Sequence, residues 1–203
     1  MKLGKVKLNV SAGVYPPAED TYLLLDSIDL KEDDSFLEVG CGAGIISLAA
    51  ASIVDRVVSL DISLDAVRNT QVNLMTNHMD GHSSVIQSDL LSALKPGTKF
   101  SVIAFNPPYL PKEESTTTMD HALVGGKIGV ELTERFIPQA VGHLGSSGRI
   151  YVVVSSIGST ERVVHAMENN GLNVSIVASE KMFFESIHIL QGIALEGHTE
   201  TVL

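Results

Sequence analysis

The chain has 203 residues, of which 44% are hydrophobic, so it is long and apolar enough to build one large core. Its 24 acidic residues outnumber its 14 basic ones, and the net charge of −10 argues against a protein that grips a phosphate backbone through a basic face. The single cysteine excludes an internal disulfide, and the seven histidines show no zinc-ligand spacing, so we expect no metal site.

The start of the chain predicts an arm followed by a helix. Residues 1–14 alternate lysine with apolar residues, which indicates a short strand or an extended arm. Pro16-Pro17 and the acids Glu19 and Asp20 precede an apolar run, a pattern typical of a helix start. The start has no signal-peptide form and no run is long enough to span a membrane. We therefore expect a single cytoplasmic domain over residues 1–203.

A buried strand over residues 35–39 is followed by a glycine-rich turn and a helix over residues 45–54. The turn has the form Glu38-x-Gly40-x-Gly42-x-Gly44. The dinucleotide fingerprint G-x-G-x-x-G needs its third glycine at position 45, which is isoleucine here. Glycines at a strand-to-helix turn let a ligand approach the backbone closely. This spacing favours S-adenosylmethionine over a dinucleotide, and Cys41 between the glycines is interpreted as a packing residue.

Two further strands end in acids. The strand over residues 56–60 ends at Asp61, where a carboxylate can accept from both hydroxyls of a ribose; the alternative is a helix cap, for which Ser63 is the better residue. The strand over residues 84–87 leads to Asp89, which is placed to contact an adenine amine.

The strand over residues 100–105 delivers Asn106-Pro107-Pro108-Tyr109. Two prolines stiffen the turn and leave carbonyls free to accept hydrogen bonds, the Asn106 carboxamide adds another acceptor, and Tyr109 adds a flat face. This set suits a planar substrate that bears an NH2 group, although the same residues also occur in ordinary turns. Parallel strands would bring Gly40, Asp61, Asp89 and Asn106 to one edge of a sheet.

The remaining third of the chain continues the alternation of helices and strands. Residues 110–127 form a polar loop, either a lid over the site or a plain solvated loop. A helix over 129–143, a strand over 148–154 and a helix over 159–169 follow. The β-rich runs 173–178 and 186–194 are too close for a crossover helix, so they must pair antiparallel.

These motifs together resemble those of the class I S-adenosylmethionine-dependent methyltransferases. More narrowly, Pro17-Ala18-Glu19-Asp20-Thr21, the Glu38 to Gly42 turn, Phe105 to Tyr109 and Gly125-Gly126-Lys127-x-Gly129 are similar to the archaeal and eukaryotic release-factor glutamine-N5 methyltransferases, relatives of HemK. The resemblance implies a Rossmann-like α/β fold with a seven-stranded, mostly parallel sheet and a C-terminal antiparallel hairpin. Ile128, where a polar residue is frequent, and the Thr-rich loop depart from the pattern common in that family. These departures bear on the identity of the substrate and not on the use of the cofactor.

The resemblance also implies roles for individual residues. Thr21, Glu38 and Gly40 would hold the methionine end of the cofactor, Asp61 its ribose, and Asp89 with Leu90 its adenine. Asn106 would touch cofactor and substrate. The implied cofactor site comprises Thr21, Glu38, Gly40, Gly42, Asp61, Asp89, Leu90 and Asn106, and the implied substrate site comprises Asn106, Pro107, Pro108 and Tyr109.

For partners, the resemblance implies a release factor as the protein substrate and a small zinc-binding activator subunit. We expect that subunit at the edge strand over residues 83–88, because an unpaired apolar edge invites pairing. Catalysis would be a direct methyl transfer to an amide nitrogen, with Asn106, Pro107 and Tyr109 positioning the acceptor. Two alternatives are N6-adenine or N2-guanine methylation of nucleic acid, which the acidic charge disfavours, and a noncatalytic scaffold.

Overall fold

The computed structural model describes residues 1, 4–108 and 130–195. The strands within these residues are β1 (Phe36–Val39), β2 (Val57–Asp61), β3 (Ser83–Gln87), β4 (Phe100–Phe105), β5 (Leu144–Ser155), β6 (Leu172–Lys181) and β7 (Ser186–Ala194). The helices are α1 (Glu19–Ser27), α2 (Ile45–Ala51), α3 (Leu64–Thr76), α4 (Glu131–Gly142) and α5 (Thr160–Asn169). A short 3-10 turn, Asp80–His82, precedes β3.

The described strands form one sheet in the order β3-β2-β1-β4-β5-β7-β6. β1 through β5 run parallel, and β7 is antiparallel to both of its neighbours, β5 and β6. The predicted α/β fold with a C-terminal antiparallel hairpin is therefore confirmed. The direction in which the chain adds strands reverses between β1 and β4, and open α/β sheets bind their ligands outside the strand ends at such a point.

Helices cover both faces of the sheet and give two apolar cores. Leu24 of α1, Leu48 of α2 and Leu74 of α3 belong to one core, whereas Phe136 of α4 and Met167 of α5 belong to the other. All four residues of β1 are buried, as is typical of a parallel strand covered on both faces. The central strands are thereby fixed, and their carboxyl ends provide a rigid platform for side chains.

Most predicted bounds agree with the structure, and three differ. The predicted helix over 45–54 ends at Ala51, where the Ser52 hydroxyl donates back to the Ala49 carbonyl and closes the last turn. β5 begins at Leu144 rather than at residue 148, because Leu144 already pairs with Phe100 of β4; the register then shifts, and residues 145–148 form a bulge in which Ser147 has a φ of +55°. β6 ends at Lys181 rather than at residue 178. Residues 4–14 form no strand, in agreement with the second of the two forms predicted for them, an arm.

Candidate active site

The described residues enclose a cavity of about 530 Å³ at the carboxyl ends of β1 to β4. It lies beside the point between β1 and β4 where the strand order reverses. Gly40, Asp61, Asp89 and Asn106 all line it, so the predicted meeting of four strand ends is confirmed. Thr21, Glu38, Gly42, Leu90, Pro107 and Pro108 line it as well. Tyr109 and the loop over residues 110–127 lie outside the described residues.

The turn between β1 and α2 depends on glycine at three positions. Gly40, Gly42 and Gly44 have φ angles of +69°, +50° and +82°, in the left-handed region that disfavours other residues. A side chain at Gly44 would place its Cβ 2.8 Å from the Oγ1 and Cγ2 atoms of Thr70. Thr70 is buried and donates to the Gly42 carbonyl at 3.0 Å. The turn therefore packs against α3, and Gly40 and Gly42 present backbone without a side chain to the cavity.

Among the described residues, backbone N–H groups hold Asp61 in place. Its Oδ2 accepts from the Gly42 N–H at 3.0 Å, and its Oδ1 accepts from the Ser63 N–H at 2.8 Å. Burial raises the pKa of Asp61 above its usual range. Ser63, as expected, caps α3 by accepting from the Ala66 N–H. Asp61 thus joins the glycine turn to the start of α3, and each carboxylate oxygen has a second lone pair that could face a ligand.

Glu38 is a buried carboxyl group at the floor of the cavity, 4% exposed. The Ser47 hydroxyl donates to its Oε2, and the hydroxyls of Ser47 and Ser59 are 2.6 Å apart. Desolvation raises the pKa of Glu38 from 4.5 to about 8, against the opposing effect of the Ser47 hydrogen bonds. Glu38 therefore keeps its proton to a higher pH than an exposed glutamate does.

This raised pKa predicts that stability falls as the pH rises. Between about pH 4.5 and pH 8 the unfolded chain ionises Glu38 while the folded chain keeps it protonated, so deprotonation favours unfolding. We expect Glu38→Gln to remove this part of the pH dependence, on the order of 5 kcal/mol in the free energy of unfolding across that interval. Urea denaturation at several pH values measures it. The exposed Glu32→Gln is the control and should leave the wild-type slope; an unchanged slope in Glu38→Gln would contradict the assignment.

Asn106 is held with a defined orientation at the end of β4. Its Nδ2 donates to the Asp20 Oδ2 at 3.1 Å and to the Thr21 Oγ1 at 3.5 Å. A carboxylate accepts but does not donate, so the amide nitrogen must face Asp20. The Asn106 Oδ1 is buried and accepts no hydrogen bond from the residues that the structure describes. A buried acceptor without a donor is costly, and here it adjoins the cavity.

Asp20 is the site residue that the sequence interpretation missed. It is 4% exposed, and its Oδ1 accepts from the backbone N–H and the hydroxyl of Thr21 at 2.6 and 3.1 Å. Burial, together with the charge and hydrogen bond of Asp20, raises the pKa of Tyr15 to about 12. The position of Asp20 in the first turn of α1 is explained equally well by the helix dipole, which concealed its contact with Asn106.

Asp89 has a partner that the sequence did not indicate. Its Oδ2 accepts from the Arg135 Nη2 of α4 at 3.0 Å, and both side chains are about half exposed. Leu90, next in the chain, has a φ of +49°, which turns the backbone at the cavity wall. The described residues thus place Asp89 at the cavity while an arginine already neutralises part of its charge.

The N-terminal arm is joined to α3 by a ladder of asparagine side chains. Each carboxamide oxygen accepts from a backbone N–H of the arm, as a neighbouring strand would. The pairs are Asn77 with Lys7, Asn73 with Asn9 and Asn69 with Ser11, at 2.9, 2.9 and 2.6 Å. The arm then brings Gly13, Val14 and Tyr15 to the cavity wall. The sequence feature that could have predicted this ladder is the presence of asparagine at every fourth residue along α3 and its C-cap.

We expect Asn73→Ala to loosen this arm. Asn73 is fully buried and makes three of the bonds, one from the Asn9 N–H, one to the Asn9 carbonyl and one to the Ala43 carbonyl. Removing them leaves buried polar groups unpaired, so the free energy of unfolding should fall by about 2–3 kcal/mol. Chemical denaturation measures it. Asn170→Ala, which removes one bond at the end of α5, should cost less than about 1 kcal/mol; equal losses would contradict the ladder.

Within the part of the chain that the structure describes, no group of three or more His, Cys, Asp or Glu side chains could hold a metal ion. Cys41 is buried, in keeping with its interpretation as a packing residue. No helix among the described residues has the length and hydropathy to cross a membrane.

Comparison with known proteins identifies the family. The sequence profile described as "Methyltransferase small domain" matches residues 6–184. The chain is 35% identical over 192 residues to "Putative protein N5-glutamine methyltransferase MJ0928" of Methanocaldococcus jannaschii, covering 92% of this chain and 95% of that one. It is 30% identical to human "Methyltransferase HEMK2", covering 93% of each.

A solved structure shares the fold. In the Mtq2-Trm112 complex of E. cuniculi, described as responsible for methylation of the eRF1 translation termination factor, the matching chain superposes with a TM-score of 0.72 at 24% identity. The match covers 90% of this chain and 99% of that one. The chain therefore belongs to the methyltransferase small domain family and is a class I methyltransferase that depends on S-adenosylmethionine.

Proposed function

We propose that this methyltransferase transfers a methyl group to the side-chain amide nitrogen, N5, of a glutamine in a peptide chain release factor. The observation that carries the proposal is the orientation of Asn106, whose oxygen stays available at the cavity because Asp20 engages its nitrogen. The names of the M. jannaschii relative and of the E. cuniculi complex support the same substrate.

The acceptor amide would be held by two oxygens. A primary amide has two N–H donors, and the Asn106 Oδ1 and the Pro107 backbone carbonyl are the acceptors proposed for them. An amide nitrogen is a poor nucleophile because its lone pair is delocalised into the carbonyl. Positioning and acceptance of both hydrogens must therefore supply much of the catalysis, since positive charge develops on the nitrogen during attack. Tyr109 is proposed to pack against the amide plane.

The cavity residues fit the cofactor. S-adenosylmethionine supplies an electrophilic sulfonium methyl group. The turn at Gly40 and Gly42 exposes backbone without side chains, which suits close approach by a ligand. Thr21, Glu38 and Gly40 are proposed for the methionine end and Asp61 for the ribose, whose hydroxyls can donate to the remaining lone pairs of its carboxylate. Asp89 and Leu90 are proposed for the adenine.

The proton of the methylated nitrogen can leave after the transfer. Once nitrogen carries a new bond and positive charge, its proton is acidic enough for water to accept it. The transfer therefore needs no side chain beside Asn106 to act as a general base. The role of Asp20 is to fix the carboxamide, because a rotated Asn106 would present N–H donors to a substrate that itself donates.

Nucleic-acid methylation is the competing function, because an exocyclic base amine is also a planar NH2 group. The net charge of −10 gives little attraction for phosphate. An assay with tritiated S-adenosylmethionine and, in separate reactions, an eRF1-type release factor, methylation-free DNA and methylation-free RNA separates the two. We expect label in the release factor; label in nucleic acid alone overturns the proposal, and no label despite cofactor binding indicates a noncatalytic protein.

A partner subunit at β3 is a second part of the proposal. β3 is an edge strand of the described sheet, and exposed apolar side chains lie on it and on the neighbouring α3. They include Ile86, Val72 and Met75, which are 36%, 53% and 54% exposed. An unpaired edge flanked by apolar side chains favours strand addition by another protein. Copurification of a small zinc-binding protein, abolished by Ile86→Asp, is the expected result; full activity and solubility of the isolated chain would contradict it.

A further inference from the structure

The turn between β6 and β7 carries two aromatic side chains that the fold does not use. Phe183 and Phe184 are 101% and 95% exposed. Each phenylalanine offers roughly 150–250 Å² of apolar surface, so this pair leaves an unusually large contact area in water. Adjacent aromatic rings that contribute nothing to the core are characteristic of an interaction site. We call residues 182–185 the hairpin tip.

Hydrogen bonds hold the hairpin tip in a fixed position. The Met182 N–H donates to the Glu185 carbonyl at 2.8 Å, which closes the turn. The Ser155 hydroxyl at the end of β5 donates to the Glu185 carboxylate. Ser156 and Ser186 exchange two bonds, each 2.8 Å long. A tip that is already ordered loses little conformational entropy when it binds, so its exposed rings can contribute most of their apolar burial to affinity.

The hairpin tip lies at the same end of the sheet as the candidate active site, beyond the carboxyl ends of the parallel strands. Ile187 of β7 lies opposite Ser155 at the carboxyl end of β5. β5 in turn neighbours β4, which ends beside Asn106. Two strand spacings across the sheet, roughly 10 Å, separate β7 from β4, and β5 continues three residues, roughly another 10 Å, beyond the partner of Phe105 before the hairpin tip begins. Ile157, two residues beyond the end of β5, adds a half-exposed apolar side chain at this end of the sheet.

Charges near the hairpin tip favour a protein over a nucleic acid as the occupant. Glu180, Lys181 and Glu185 flank the two rings, so acids outnumber bases in the immediate sequence. Aromatic rings that bind single-stranded nucleic acid normally accompany a basic groove that follows the phosphates. An apolar cleft on a protein needs no such groove.

We propose that the hairpin tip docks into an apolar cleft of the protein substrate, beside the loop that presents the acceptor glutamine. This inference rests on the proposed function, and it assigns substrate affinity to a surface outside the catalytic cavity. The catalytic residues recognise only a small amide, so a contact at this distance would distinguish one glutamine-bearing protein from the many others.

The double variant Phe183→Ser/Phe184→Ser tests the proposal with two substrates. One is an intact eRF1-type release factor, and the other is a five-residue peptide centred on the acceptor glutamine, which reaches only roughly 7 Å to either side. We expect KM for the intact factor to rise on the order of 30-fold with kcat unchanged. Both constants for the peptide should stay at wild-type values. Phe183→Leu/Phe184→Leu, which keeps apolar side chains, should recover most of the affinity.

Other results would overturn the proposal. An unchanged KM for the intact factor, when the wild type methylates that factor, removes the docking role and leaves the proposed function intact. Equal losses with factor and peptide place the effect in folding or catalysis instead. Loss of self-association or of single-stranded RNA binding, without a change in KM, assigns the rings to a second copy or to nucleic acid. If the wild type neither binds nor methylates the factor, the proposed function fails and the docking role fails with it.

Discussion

Asn106→Ala should reduce kcat for methyl transfer by about 10²–10⁴-fold while the protein stays folded. The substitution removes the buried Oδ1 that is proposed to accept a hydrogen of the acceptor amide, and it leaves the Asp20 carboxylate without the donor at 3.1 Å. Binding of S-adenosylmethionine should weaken far less, because the glycine turn and Asp61 remain. Single-turnover kinetics together with cofactor titration separate the two effects.

Two further variants sharpen this test. Asp20→Asn keeps the volume of the side chain but offers an NH2 group as well as an oxygen, so it no longer dictates which way the Asn106 carboxamide faces. We expect kcat between those of the wild type and Asn106→Ala, with thermal stability close to wild type. The exposed Asn173→Ala, on β6, is the control and should keep full activity. Normal turnover in Asn106→Ala would refute the role assigned to Asn106.

Gly44→Ala should lower the free energy of unfolding by about 3 kcal/mol, from two separable causes. A residue with a side chain at φ +82° is strained, and the new Cβ would lie 2.8 Å from Thr70 atoms. Because Thr70 also donates to the Gly42 carbonyl, its displacement should disturb the glycine turn and weaken cofactor binding. Urea denaturation and cofactor titration measure the two consequences.

Two other glycines provide matched controls for Gly44→Ala. Gly97 has a φ of +83° with open space around it, so Gly97→Ala should show the backbone strain alone, about 1 kcal/mol. Gly81 has neither a positive φ nor a close neighbour, so Gly81→Ala should change stability by less than about 0.5 kcal/mol. If Gly44→Ala lowered the free energy of unfolding no more than Gly97→Ala, close packing against Thr70 would make no contribution to the loss.

The sequence predicted the fold because hydrophobic runs and turn residues agree along the chain. Phe100–Phe105 was predicted and observed with the same bounds, since a continuous apolar run that ends at Asn-Pro-Pro is compatible with little except a buried strand. The glycines after β1 and the acids after β2 and β3 predicted residues that line the cavity, for a related reason. Parallel strands bring their carboxyl ends together, so residues that follow strands become neighbours.

Sequence patterns did not predict the contacts between helices and loops. The Asp20–Asn106 bond joins residues 86 positions apart, and the Asp89–Arg135 pair joins residues 46 apart. Neither follows from local periodicity, because each acid satisfies a simpler local rule at the same time. The asparagine ladder escaped prediction because it depends on where the arm runs, and residues 4–14 have no secondary structure of their own.

Locating the transferred methyl group shows whether it goes to the side-chain nitrogen of a glutamine. An eRF1-type release factor is incubated with the purified chain, its partner subunit where one copurifies, and S-adenosylmethionine, and is then analysed by tandem mass spectrometry. We predict a mass increase of one methyl group on a single glutamine, with release of methylamine on acid hydrolysis. A methyl group on another residue of the factor, or only on a nucleic-acid base, would rule out glutamine methylation.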